Sequence, residues 1–301
     1  MRFDAWNATF PNFYLKDIRS ALENDLVATL EPRDKGLHGY QFSETIQVNG
    51  VTHGVLAYGG INQRFFVEMK GEPSQQWSEI VQRWDLATNY VIEDDSIFLV
   101  YLTRADVCFD WQDAKDVVAI APGLREFVES EMQEAKGRPP QWDQRGDWNS
   151  PEGRARGCTL YMGASSSSVR IRLYDKGAEL RGKGLEAPSD LRRVEVQVRA
   201  DSKEEKVSFS RMTPKTFWTV SSPVKAVATY LRVPMEGEMF RIPSPPADLE
   251  RLKTLAAIQY GDAITALAKD LATGDMTAIA LVEILAKEIE TRRTKALRRA
   301  S

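Results

Sequence analysis

The hydrophobic pattern of residues 1–200 is mostly that of β-strands. Several early runs are rich in apolar and β-branched residues, among them 53–58 and 64–70, and each ends at glycine. Runs of this kind with turn residues between them are typical of antiparallel strands. The strongest strand signals come later, in the runs 96–111, 158–163, 169–176 and 191–200. The pattern therefore predicts an antiparallel sheet.

Helical spacing of apolar residues is clearest on the two sides of the strand at 96–111. A helix is predicted from about Ser74, a good N-cap, because Trp77, Ile80 and Trp84 recur at helical spacing. A second helix is predicted from Asp113 to about Ala135, with an interruption near Pro122. Both helices are expected to pack on the sheet.

The rest of the chain is divided by segments rich in proline and glycine. Residues 136–153 are expected to form a loop, and the pattern becomes helical after Thr213. The sequence PSPP at 243–246 predicts a linker, and the alanine-rich stretch 248–299 predicts two more helices. We therefore expect an α+β fold with a central antiparallel sheet flanked by helices over residues 1–242, and a small helical appendage over 243–301.

Composition excludes several classes of protein. Hydrophobic residues make up 43% and charged residues 28% of the chain, as in an ordinary globular protein. No apolar run is long enough for a membrane span, so we expect a cytoplasmic protein without membrane contact. The chain has two cysteines, too few for a disulfide framework, and two histidines. None of these four residues has the spacing of zinc ligands, and no motif of a serine hydrolase is present. Any metal would have to rest mainly on carboxylates.

Charge is distributed unevenly along the chain, although the net charge is only -3. Residues 154–215 contain 14 Lys/Arg and 8 Asp/Glu, a local balance of +6. The first 135 residues contain 11 basic and 22 acidic residues, a balance of -11. Such asymmetry is expected if residues 154–215 face phosphate groups, with a solvated basic surface as the alternative.

Three predicted strands separate cleanly into an apolar and a polar face, because side chains alternate along a strand. Their polar faces carry Arg104, Asp106, Cys108 and Asp110, then Arg170, Arg172, Tyr174 and Lys176, then Arg193, Glu195, Gln197 and Arg199. If the strands are neighbours, these side chains share one surface. A half-exposed sheet with a solvated face shows the same alternation, so the pattern alone leaves both interpretations open.

The polar surface has the residue types that phosphate chemistry needs. Asp106 and Glu195 are oxygen ligands suited to Mg²⁺ or Mn²⁺, which often bind one or two carboxylates plus substrate phosphate. The arginines suit phosphate groups. Tyr174 is a candidate nucleophile if a nearby cation, such as a metal or Lys176, stabilises its phenolate.

Four motifs carry a family resemblance. They are TRADVCFD at 103–110, TLYMG at 159–163, RLYDKGAE at 172–179 and RVEV at 193–196. Together they resemble the replication initiation factor family, the rolling-circle initiators of small plasmids and filamentous phages with related conjugative relaxases. One departure is the turn Gly163-Ala-Ser-Ser-Ser167, where the family often has Gly-Ser-Arg-x-Ser.

The resemblance implies a metal-dependent nicking enzyme that forms a covalent phosphotyrosine bond with DNA. Tyr174 is then the nucleophile, assisted by Arg172 and Lys176, with Asp106 and Glu195 as ligands of Mg²⁺ or Mn²⁺. The DNA contacts expected on the same surface are Arg170, Arg193 and Arg199. The implied partners are single-stranded or extruded origin DNA, a helicase and the host DNA polymerase, with the protein acting as an oligomer such as a homodimer.

Alternatives remain at the level of sequence. Tyr161 is a rival nucleophile, and Asp110 and Glu179 are further carboxylates that could join the site. A conjugative relaxase shares the same chemistry, whereas a phage DNA-binding regulator would have kept the fold and lost nicking. The basic stretch 287–299 is either a solvated helix end or a second contact for DNA or a partner.

Overall fold

One antiparallel sheet runs through the structure, a computed structural model that describes residues 1–61, 63–88 and 100–239. Its strands in chain order are β1 (Arg2–Pro11), β2 (Ala28–Pro32), β3 (Phe42–Val48), β4 (Val51–Tyr58), β5 (Arg64–Lys70), β6 (Tyr101–Gln112), β7 (Trp142–Arg145), β8 (Thr159–Met162), β9 (Val169–Tyr174) and β10 (Leu191–Arg199). Their order across the sheet is β2-β3-β4-β5-β1-β6-β10-β9-β8-β7. The four strands that hold the predicted site, β6, β10, β9 and β8, are therefore neighbours.

Helices follow the strands at several points along the chain. They are α1 (Leu15–Asn24), α2 (Pro73–Thr88), α3 (Val117–Glu134), α4 (Pro151–Ala155), α5 (Lys176–Gly182), α6 (Lys203–Ser210) and α7 (Ser222–Tyr230), with short 3₁₀ helices at Asn12–Tyr14 and Thr216–Thr219. Side-chain caps fix several starts. Asp116 accepts a hydrogen bond from the Ala119 amide before α3, and Ser202 and Glu205 form a capping box at α6.

The core lies on the apolar face of the sheet. Buried strand residues such as Val107, Val196 and Ile171 join one hydrophobic cluster with Trp77 of α2 and Leu124 of α3. The helices α1, α6 and α7 add buried residues to the same cluster. Because this face takes the apolar side chains, alternation leaves the polar ones on the opposite face. The predicted α+β fold with a central antiparallel sheet is confirmed.

Several predicted elements differ from the structure. Residues 12–24 contain α1, where only strands and turns were expected, and α6 was also missed. The helix α3 continues through Pro122 without the expected interruption. The segment 136–153 contains β7 in place of a continuous loop. Lys176 belongs to α5 and not to the strand before it, which ends at Tyr174.

Some predictions lie outside the described residues. These are the first part of the strand at 96–111, the side chain of Trp84, the PSPP linker and the helices at 248–299. The described residues belong to one unit, Met1–Ile242. The division into a domain 1–242 and an appendage 243–301 therefore stays a prediction. None of the helices in the described parts of the chain combines the length and apolar character that a membrane span requires.

Candidate active site

Strand register brings the predicted polar residues together on one face. Glu195 of β10 is directly opposite Arg172 of β9, and Arg193 is opposite Tyr174. On the other side of β10, Gln197 is opposite Asp106 of β6. Antiparallel neighbours on one face are close enough for their side chains to interact directly. The alternation seen in the sequence therefore corresponds to one shared surface.

Tyr174 is hydrogen-bonded to a buried carboxylate. Its hydroxyl donates to Glu195 Oε1 at 2.5 Å, and Glu195 is only 1% exposed. The other oxygen of Glu195 pairs with the guanidinium of Arg172, which also lies 3.7 Å from Asp106 Oδ2. The phenol thus has a proton acceptor, and the acceptor is held in place by an arginine that links both predicted metal ligands.

The resting site disfavours the phenolate. Burial raises the pKa of Tyr174 well above its ordinary value, and the nearby negative charge of Glu195 raises it further. Burial also raises the pKa of Glu195, with the charge of Arg172 opposing the increase. Tyr174 is therefore a neutral hydrogen-bond donor in the resting protein, and attack requires additional positive charge near its oxygen.

Asp106 is the second predicted ligand, and it is surrounded by donors. Arg104 donates to its two oxygens at 2.8 and 2.6 Å, and Gln197 Nε2 donates to Oδ2 at 3.3 Å. Within the described residues, no group of three or more His, Cys, Asp or Glu side chains is arranged to hold a metal ion. Asp106 and Glu195 are both buried carboxylates, and in the resting protein their oxygens are occupied by donors such as Arg104 and Arg172. A cation that completes its shell with water and phosphate would have to share these oxygens with the arginines.

Arg193, predicted to contact DNA, is 2% exposed. Its guanidinium donates to both oxygens of Asp110 at 2.5 and 2.7 Å and to Asp4 Oδ1 at 3.1 Å. This geometry favours a structural role that joins three strands. Asp4 was missed at the level of sequence, because a β-bulge between Phe3 and Ala5 turns it towards the site.

Lys176 reaches the site from the first turn of α5. Its ammonium nitrogen lies 5.7 Å from the centre of the Tyr174 ring and donates to Glu179 Oε2 at 2.8 Å. Asp175, between the two, is buried and accepts a hydrogen bond from the Cys158 amide. The expected proximity of Lys176 and Tyr174 arises from a strand-to-helix junction and not from two positions on one strand.

The two remaining predicted DNA contacts are at the other end of the same face. Arg199 is exposed, and its guanidinium donates to the backbone carbonyl of Ser165 at 3.1 Å. It thereby supports the 163–167 turn, in which this chain lacks the arginine common in the family. Arg170 lies over the ring of Tyr161, with the guanidinium carbon 3.9 Å from the ring centre.

An open cleft of about 550 Å³ gives access to the site. Tyr174, Arg172 and Glu195 line it, and Tyr161 lines it next to them. Arg156 and Lys183, both exposed, add positive charge to its lining. A cleft with a phenol, carboxylates and several cations has the composition needed to receive a phosphodiester.

Comparison with known proteins agrees with the motifs. Residues 80–209 match the model of the family described as replication initiation factor. The match includes β6, β8, β9 and β10, and with them every predicted site residue. The resemblance to this family is confirmed.

Comparison with curated proteins found no match. Among solved structures, the chain is similar to that of a rolling circle replication initiator protein from Geobacillus stearothermophilus, with 20% sequence identity. The alignment covers 83% of this chain and 89% of the other, with a TM-score of 0.48.

Proposed function

We propose that the protein is a rolling-circle replication initiator that nicks one strand of origin DNA and becomes covalently attached through Tyr174. The observation that carries the proposal is the 2.5 Å hydrogen bond from the Tyr174 hydroxyl to Glu195 within a cation-lined cleft. The family match over residues 80–209 supports the same activity. A solvated sheet face would not require a buried carboxylate beneath a tyrosine.

The proposed reaction is a transesterification. The Tyr174 oxygen forms a bond to phosphorus, and the bond from phosphorus to the 3′-oxygen breaks. Glu195 accepts the phenol proton, and the departing 3′-oxygen takes up a proton from solvent. Because one phosphoester bond replaces another, strand rejoining can use the same residues, and the free 3′-hydroxyl can prime synthesis by a host polymerase.

The surrounding cations have separate tasks in this proposal. Arg172 orients Glu195 through their ion pair and provides positive charge close to the phosphate. Lys176 places an ammonium group beside the Tyr174 ring. Arg193 takes a positioning role, since Asp110 and Asp4 fix it beneath the site. Orientation of the nucleophile and of the phosphate is the main contribution of such an arrangement.

Asp106 and Glu195 would hold a divalent metal, Mg²⁺ or Mn²⁺, through carboxylate oxygens that Arg104 and Arg172 occupy in the resting protein. When bound, such a cation supplies positive charge that offsets the charge developing on the phosphate oxygens and on the phenolate. The raised pKa of Tyr174 is a reason to expect this requirement, because burial and the nearby negative charge of Glu195 both oppose formation of the phenolate.

The decisive experiment is trapping of the covalent adduct on a supercoiled plasmid that carries the protein's own replicon. Tyr174→Phe is expected to abolish both nicking and the adduct while DNA binding stays nearly unchanged, because only one oxygen is removed. Excess EDTA is expected to abolish the adduct of the wild type, and added Mg²⁺ or Mn²⁺ to restore it.

Tyr161→Phe is the matched control, since Tyr161 lies in the same cleft and changes by the same atom. It should keep most of the nicking activity. An adduct that persists in Tyr174→Phe would refute Tyr174 as the nucleophile, and full activity in EDTA would refute the metal. Mass spectrometry of the DNA-linked peptide identifies the attached residue directly.

A further inference from the structure

We infer that Tyr161, supported by Arg170, is a stacking position for a nucleobase next to the phosphate that Tyr174 attacks. The inference rests on the proposed function, and it assigns a binding role to a residue that the proposed reaction does not use. Three observations carry it: the pairing of Tyr161 with Arg170, its position relative to Tyr174, and its exposure to the cleft.

The ring of Tyr161 is held from one side. The Arg170 guanidinium lies 3.9 Å from the ring centre, a short cation–π contact that fixes the orientation of the ring. Tyr161 lines the cleft, whereas Arg170 is not among the described residues that do. Part of the half-buried Tyr161 side chain therefore faces the cleft while Arg170 contacts its ring.

Register sets the distance of this ring from the nucleophile. Tyr161 is directly opposite Arg172, and Thr159 is directly opposite Tyr174. Tyr161 and Tyr174 are thus diagonal neighbours across two antiparallel strands, and the Cα atoms of such neighbours are typically about 7–8 Å apart. A phosphate at the Tyr174 oxygen would therefore have the base of an adjacent nucleotide within reach of the Tyr161 ring.

The surroundings of the two tyrosines suit different tasks. Tyr174 donates to a buried carboxylate, whereas among the described residues no carboxylate accepts a hydrogen bond from Tyr161. An aromatic ring beside cations is the arrangement by which proteins bind single-stranded nucleic acid, with bases stacked on rings and phosphates near Lys and Arg. Arg156 and Lys183 provide such cations in the same cleft.

The test compares two single-stranded probes of equal charge, the decamer dT10 and a decamer of abasic deoxyribose phosphates. Wild-type protein is expected to bind dT10 more tightly. Tyr161→Ala should weaken dT10 binding by about 5- to 150-fold, the range of one base stack, with little effect on the abasic probe. Tyr161→Phe should keep the preference for dT10, and Tyr161→Leu, which preserves bulk without a ring, should lose it.

Tyr101 is the matched control. It also lies under an arginine, Arg64, with a distance of 3.9 Å, but it is outside the set of residues that line the cleft. Tyr101→Ala should leave the preference for dT10 unchanged. A preference that survives in Tyr161→Ala, or that falls equally in Tyr101→Ala, would overturn the inference. Circular dichroism of each variant verifies that the fold is intact.

Adduct trapping separates this inference from the proposed function. If wild-type protein forms the Tyr174 adduct while Tyr161→Ala binds both decamers as the wild type does, the stacking position is wrong and the nicking activity stands. If the wild-type protein forms no adduct at all, the proposed nicking function is refuted, and the stacking inference that rests on it is refuted with it. An abasic nucleotide introduced next to the mapped nick should slow adduct formation by the wild type and leave the slower Tyr161→Ala unaffected.

Discussion

Among single residues, Glu195 is the one on which the proposed chemistry depends most. It accepts a hydrogen bond from the Tyr174 hydroxyl, it takes up the proton in the proposed reaction, and burial raises its own pKa. Glu195 is needed as a carboxylate, so adduct formation should fall as the pH is lowered through this raised pKa. Glu195→Gln should slow adduct formation by about 10²- to 10⁴-fold, the usual contribution of a general base, and remove the acidic limb of the pH profile.

The measurement for Glu195 is the single-turnover rate of adduct formation by the wild type and by Glu195→Gln across a pH series. Asp143→Asn serves as the control, because it changes a carboxylate of the same sheet that pairs with Arg145 outside the cleft. It should leave the rate and the profile as in the wild type. A Glu195→Gln variant with an ordinary rate, or with the same acidic limb, would contradict the assignment of the proton acceptor.

Residue alternation predicted most of the candidate site, for a clear physical reason. Tyr174, Arg172 and Glu195 meet because they lie on the same faces of paired strands, and the period of two determines the face. Asp4 could not be predicted in this way, because the bulge in β1 interrupts the two-residue alternation at Asp4 itself. No sequence motif marks the position of the bulge. Arg193 shared the right face, but its burial depends on two partners from other strands.

Among the elements, the junction between β9 and α5 determines where the nucleophile stands. Asp175 follows Tyr174 and pairs with Arg192 of β10 at 3.2 Å, with both side chains 6% exposed. Asp175→Ala would leave a buried guanidinium without its anion, so the free energy of unfolding should fall by about 3–5 kcal/mol. Urea denaturation followed by circular dichroism measures this loss.

An exposed ion pair of the same sheet provides the comparison for Asp175. Asp143→Ala removes the partner of Arg145, and both side chains of that pair are at least 40% exposed. The expected loss is at most about 1 kcal/mol. Adding Arg192→Met to Asp175→Ala should recover part of the stability, because no buried charge then remains unpaired. If Asp175→Ala lowered the free energy of unfolding as little as Asp143→Ala does, the buried ion pair would not be what stabilises the junction between β9 and α5.

Element boundaries were less predictable than element types. The polar residue Lys176 extends the alternation of β9 by one step, so the sequence pattern alone cannot separate the last strand position from the first helical one. Pro122 was expected to interrupt a helix, yet buried residues of α3 pack on α7 and on β8 of the sheet, and this packing outweighs the lost hydrogen bond.

For the whole molecule, the separation of charge determines how DNA should be held. Four of the basic residues in 154–215 line the cleft, and two of them, Arg156 and Lys183, are exposed. If these two side chains neutralise phosphates, their joint replacement by alanine should flatten the dependence of log affinity on log salt by about 0.7 per lost contact on single strands. Fluorescence anisotropy across a salt series gives the slope.

Arg232→Ala is the control for this measurement, since Arg232 is exposed and follows α7 in the helical layer. Its replacement should leave the slope unchanged. A slope near zero for the wild type would exclude phosphate contacts as the source of binding. If Arg232→Ala flattened the salt dependence by as much per removed charge as the cleft variant does, net charge and not the cleft would govern association.

The position of β1 also has a consequence for the order in which the chain folds. Strand β1 precedes the other nine described strands in the chain and lies in the middle of the sheet, and its residue Phe3 pairs with Val107, about a hundred residues later in the chain. Strands β3, β4 and β5 can pair locally while the ribosome is still adding residues, whereas non-local pairings close slowly. Arg193, which forms ion pairs with Asp4 and Asp110, is synthesised later still. We therefore expect a nascent chain to remain unable to cut DNA until the last central strand is in place.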